Sequence, residues 1–88
     1  MVHYKKIYFD YFGTEAKIFP VDEYEWVVND LKIPATDIHH IEHGANKTDH
    51  INNIMALSRK NHIKAHKEQL KRDYLKKIHL EFMFNNPY

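Results

Sequence analysis

At 88 residues, with no cysteine and a net charge of +1, the chain is long enough for one small domain, and disulfides and thiolate metal sites are excluded. No apolar run approaches the roughly 20 residues that span a bilayer, and the aromatic, charged start MVHYKKIYFDYF lacks a signal-peptide cleavage site, so a cytoplasmic protein is expected. The charge is uneven: residues 1–57 hold five Lys against nine Asp or Glu, whereas residues 58–77 hold eight Lys or Arg against Glu68 and Asp73.

Val2 to Phe12 is rich in Tyr, Phe and Ile and reads as one or two strands. Gly13 marks a turn, and Ile18-Phe19-Pro20 a short extended piece. Asp22 followed by Glu25 has the form of an N-cap and capping box. Glu23 to Leu31 is therefore expected to be a short helix, ended before Pro34. Tyr24, Val27, Val28 and Leu31 share its apolar stripe. Trp26 lies off that stripe by roughly 100° and is free to cover a neighbouring element.

Asp37-Ile38-His39-His40-Ile41 is a strand candidate, Glu42 to Asn53 a polar loop around Gly44, and Ile54-Met55-Ala56-Leu57 a second strand. Ser58 is a good N-cap. No Gly or Pro follows before Pro87, so the helix from Arg59 should run about 25 residues. The expected class is α+β: a ββα unit preceded by N-terminal strands and ending in a long C-terminal helix, all in a single domain.

The chain has eight histidines, four of them between His39 and His50. Clustered imidazoles point to metal or proton chemistry. His62 and His66 are one helical turn apart and share a face. A hairpin folded onto the first turn of that helix brings His39 to them. Three imidazoles with an open position form the ligand set of a catalytic rather than a structural zinc site.

Asp37-Ile-His-His-Ile, Asn53-Ile-Met-Ala-Leu and Asn61-His62-Ile-Lys-Ala-His66 together resemble the HNH endonuclease motif, in the all-histidine version of the colicin nuclease domains. The spacing from Asn53 to His62 is nine and from His62 to His66 four. The resemblance covers about Asp37 to Lys67. It is also similar to small phage-type HNH proteins, but their Cys-x-x-Cys knuckle is missing here. The resemblance implies a ββα-metal (His-Me finger) fold and hydrolysis of DNA to 5′-phosphate and 3′-hydroxyl products. It implies His40 as general base, His39, His62 and His66 as metal ligands, and Asn53 as the residue that bonds across the loop and steadies the strand carrying His40. Adjacent strand residues point to opposite faces, so His39 and His40 must serve different sides.

Imidazole ligands favour zinc or a similar transition ion over magnesium. Lys60, Lys64, Lys67 and Lys71 form a stripe centred roughly 160° from His62, whereas Arg59 lies about 60° from it and is the preferred phosphate contact. Leu70, Tyr74, Ile78 and Phe82 recur every four residues. The helix end is expected to pack on the N-terminal aromatic strands, with a homodimer through that helix as the alternative. Two other functions stay open: a catalytically silent, metal-stabilised DNA-binding module, and a metal-buffering protein.

Overall fold

The computed structural model describes residues 3–12, 20–44 and 47–85. These form α1 (Tyr4–Phe12), α2 (Glu23–Asn29), β1 (Asp37–His40), β2 (Ile54–Leu57), α3 (Arg59–His66) and α4 (Arg72–Asn85), with a 3-10 turn at Ile51–Asn53 entering β2. The chain is thus a small α+β fold with four α-helices and one two-stranded antiparallel sheet among the described residues. None of the helices is long and apolar enough to cross a membrane. The proposed turn at Gly13 and the residues Ile18 and Phe19 lie outside the described residues.

β1 and β2 pair in the register Asp37↔Leu57, Ile38↔Ala56, His39↔Met55, His40↔Ile54. All four β2 residues are fully buried, because both faces of the sheet are covered. Strand alternation sorts the core into two parts. Ile38, Ile54 and Ala56 join Tyr8 and Phe12 of α1 and Phe82 of α4. Met55 and Leu57 join Ile41, Leu70, Leu75 and Ile78. Trp26 sits edge-on to Phe82, so it does cover a neighbouring element.

The expected N-terminal strands are not formed: Tyr4–Phe12 is a helix. Aromatic composition suggested a strand, but the spacing of Tyr4, Ile7, Tyr8, Tyr11 and Phe12 is i, i+3, i+4, i+7, i+8, a helical stripe. Lys6 and Asp10 pair at 2.7 Å on the solvent side, one turn apart. Periodicity outweighed composition because the stripe lets one face of the segment bury its rings on the sheet.

The expected long C-terminal helix is also corrected: it is two helices, broken between His66 and Arg72. A straight helix of 25 residues would be about 38 Å long, beyond the 33 Å longest dimension of the molecule. α3 ends in a Schellman motif, with Gln69 N–H bonded to Lys64 O at 2.9 Å and Glu68 N–H to Ala65 O at 3.1 Å. Glu68 holds the left-handed conformation there, at φ 57°. The break turns Leu70, Leu75 and Ile78 inward to the second core. α2 ends in the simpler left-handed motif, with Asp30 at φ 55° and its N–H on Trp26 O at 3.2 Å, while Leu31 N–H reaches Glu25 O at 3.0 Å. It stops short of Leu31, and Val28 and Leu31 of its expected stripe are exposed.

The outer edge of β2 is closed by side chains. Glu23 Oε2 accepts from Ala56 N–H at 2.8 Å, and Asp22 Oδ2 from Ser58 N–H at 2.7 Å. Both carboxylates are fully buried and have further donors. Asp22 caps α2 through Glu25 N–H and accepts from Asn61 Nδ2. Glu23 accepts from the Tyr8 hydroxyl at 2.5 Å and from His79 Nδ1 at 2.6 Å, while His79 Nε2 lies 2.6 Å from Ile51 O. An edge that would otherwise expose free N–H groups is thereby tied to α1, α2 and α4.

Candidate metal centre

The site begins with strand alternation. Asp37 and His39 project from the face of β1 that meets α3, and His40 projects from the other. Ser58 caps α3 by accepting from Asn61 N–H, which starts the helix immediately after β2. His62 and His66 then fall one turn apart on the face toward β1.

His39, His62 and His66 each offer a nitrogen, and these atoms lie within 4.8 Å of one another. Ring centroids are 5.1 Å apart for His39–His62, 5.3 Å for His39–His66 and 4.5 Å for His62–His66. The Nε2 atoms of His62 and His66 face each other at 2.9 Å. Two imidazole nitrogens on one tetrahedral zinc, each about 2.0–2.1 Å from it, sit about 3.3 Å apart. The group could therefore hold one metal ion with small adjustments.

The surroundings also suit a metal. His39 is 3% exposed, and its Nδ1 is buried without a hydrogen-bond partner. Burial, reinforced by the neighbouring His62, His66, His43 and His40, pushes the His39 imidazole down to about 3. It is neutral through the physiological range, as a ligand must be. Burial also lowers His62, against the pull of Asp37. Asp37 Oδ2 lies 3.2 Å from His62 Nδ1. A carboxylate on the far nitrogen fixes the tautomer and directs Nε2 to the ion. Burial works against the charge on Asp37, but Thr36, His62 and Arg59 outweigh it and hold the carboxyl below its usual value.

His40 occupies the opposite face. It is 8% exposed, its Nε2 is 2.8 Å from Asp49 Oδ1, and the Tyr4 ring lies edge-on at 4.5 Å. Asn53 ties the intervening loop together: its Oδ1 accepts from Glu42 N–H at 2.8 Å, and its Nδ2 donates to Glu42 O at 3.2 Å and Thr48 O at 2.9 Å. Its carbonyl accepts from Ile41 N–H at 2.8 Å. Arg59 is exposed beside the triad, with Nε 3.4 Å from Asp37 Oδ2.

Three site residues were not found from the sequence. Asp37 and Asp49, the partners of His62 and His40, carry no spacing signal. His43 lies in the loop with its ring 5.5 Å from His39 and 6.0 Å from His66. Burial and then the Arg72 charge lower its imidazole. Proximity in sequence to the His39-His40 pair was the only hint.

Compared with models of known families, with curated proteins and with solved structures, the chain has no match.

Proposed function

We propose that the protein is a metal-dependent endonuclease of the HNH kind, hydrolysing phosphodiester bonds in DNA on a ββα-metal unit formed by β1, β2 and α3. The observation that carries this is the division of the adjacent pair His39-His40. His39 joins two helix imidazoles in a group able to hold an ion, while His40 has a carboxylate partner. Ligand and base chemistry thus have separate faces of one strand.

A metal on His39, His62 and His66 would supply a Lewis acid for the phosphate and the leaving oxygen, and zinc or a similar ion suits these donors. The chain's own groups do the rest. Ionised Asp49 can only accept, so His40 Nε2 carries the proton in their hydrogen bond and the lone pair sits on Nδ1. Nδ1 takes a proton from water as the water oxygen bonds to phosphorus and the bond from phosphorus to O3′ breaks. The O3′ oxygen takes its proton from solvent. Asn53 keeps the loop closed behind His40, and Arg59 lies within reach of substrate phosphate. The Tyr4 ring lies edge-on beside His40.

A supercoiled-plasmid assay with zinc, nickel, manganese and magnesium tests this. The native chain should nick plasmid with at least one of these ions. His40→Ala should bind zinc as before and lose cleavage by about a hundredfold or more, the usual contribution of a general base. Cleavage undiminished in His40→Ala, or no cleavage by the native chain with any ion, would refute the nuclease. A silent DNA-binding module would show binding unaffected by His40→Ala and no nicking.

A further inference from the structure

Beside the triad, on the side of the α3–α4 break, is a cavity of about 420 Å³, within the range that admits a small ligand. His39, His43 and His66 line one side. Lys71 and Arg72, at the start of α4, line another. The stripe of lysines seen in sequence therefore divides: the break after α3 takes Lys71 off that stripe and places it in the lining of the cavity beside the triad. The helix start beside Lys71 favours an anion as well: Arg72 and Asp73, in the first turn of a 14-residue helix, line the cavity, and the N–H groups of a first turn have no partner within the helix.

The lining also holds Glu68 and Asp73. Their charges offset those of Lys71 and Arg72, so the metal-free cavity is close to neutral. A divalent ion on the triad makes it positive by two charges. Anion affinity should therefore depend on metal.

We infer that this cavity is a nucleotide subsite, in which Lys71 and Arg72 hold a backbone phosphate next to the one being hydrolysed. This rests on the nuclease reading for its substrate class. It moves the principal phosphate contact from Arg59, whose guanidinium is engaged by Asp37, to the residues that follow the helix break. A lysine point charge and an arginine fork together suit a phosphate monoanion or a terminal phosphate.

The test is titration calorimetry with deoxyadenosine 5′-monophosphate, and with deoxyadenosine as the phosphate-free control, on zinc-loaded and metal-free protein. Zinc-loaded native protein should bind the nucleotide, the nucleoside much more weakly, and metal-free protein at least about tenfold more weakly. The Lys71→Ala/Arg72→Ala variant should keep its zinc affinity and thermal midpoint while nucleotide affinity falls about tenfold or more, as expected for losing charged hydrogen bonds. Lys60→Ala/Lys64→Ala, an equal charge loss placed on α3, should change nothing. Equal nucleotide affinity in the double variant and the native chain, or no nucleotide binding by zinc-loaded protein, would overturn the subsite. If zinc itself does not bind, the metal reading falls separately. The subsite is then decided on the metal-free chain, where nucleotide binding lost in the double variant upholds it and any other result refutes it.

Discussion

Glu23 and His79 show how much a buried residue can hold. Both are fully buried, and both ring nitrogens of His79 face acceptors, Glu23 Oε1 and Ile51 O. An imidazole can satisfy two acceptors only as the imidazolium, so this is a buried ion pair. Burial opposes the charge on His79, but Glu23 and the Ile51 carbonyl raise it above its ordinary value of 6.5. The Tyr8 hydroxyl is raised as well, by burial and by the Glu23 charge. Removing one partner leaves the other charge uncompensated, so His79→Leu should cost about 3–5 kcal/mol in urea denaturation. A loss under about 1 kcal/mol would contradict the pairing. Folded His79 holds its proton more tightly than the unfolded chain does. Its contribution is therefore complete below 6.5 and is lost as pH rises through the raised folded value. The urea midpoint should fall with pH on the alkaline side, and His79→Gln should remove that slope.

At the scale of elements, the ends of α2 and α3 both place a charged residue where glycine is normally found. Asp30 and Glu68 sit at φ 55° and 57°, a conformation that costs an L-residue about 1–2 kcal/mol. Asp30→Gly and Glu68→Gly should each raise stability by up to about 1 kcal/mol, after the entropy that glycine adds to the unfolded chain. A lower thermal midpoint in both would show that the side chains contribute more than the strain they impose. These two residues also explain what was legible in the sequence. The hairpin strands and the start of α3 were readable because a short apolar run, a cap at Ser58 and a one-turn His spacing each have a local signature. The break after His66 was not, because Lys67 to Lys71 contains neither Gly nor Pro and the turn is imposed by burial of Leu70 and Leu75. α1 was not legible from its ring-rich composition, which favours a strand, because burial of one face follows the helical stripe of Tyr4, Ile7, Tyr8, Tyr11 and Phe12. Asp22 was legible as a cap, but not as the closure of a strand edge 36 residues away in sequence.

For the whole molecule, 88 residues support only a modest core. That core is divided by the sheet, with Asp22 and Glu23 at the start of α2 closing the edge of β2. The triad bridges β1 and α3, so an ion held there would join a strand to the helix that follows the hairpin. Binding to the folded chain alone stabilises it by about 2.7 kcal/mol at a hundredfold excess over Kd. Zinc should therefore raise the thermal midpoint, and chelation should reverse the rise.

The most direct measurement is equilibrium dialysis of the native chain and its His39→Ala, His66→Ala and His50→Ala variants against zinc, with bound metal counted by mass spectrometry. One zinc per chain, retained by His50→Ala and lost by His39→Ala and His66→Ala, is the expected result. No zinc on the native chain, or the same amount bound after either triad histidine is removed, would contradict it.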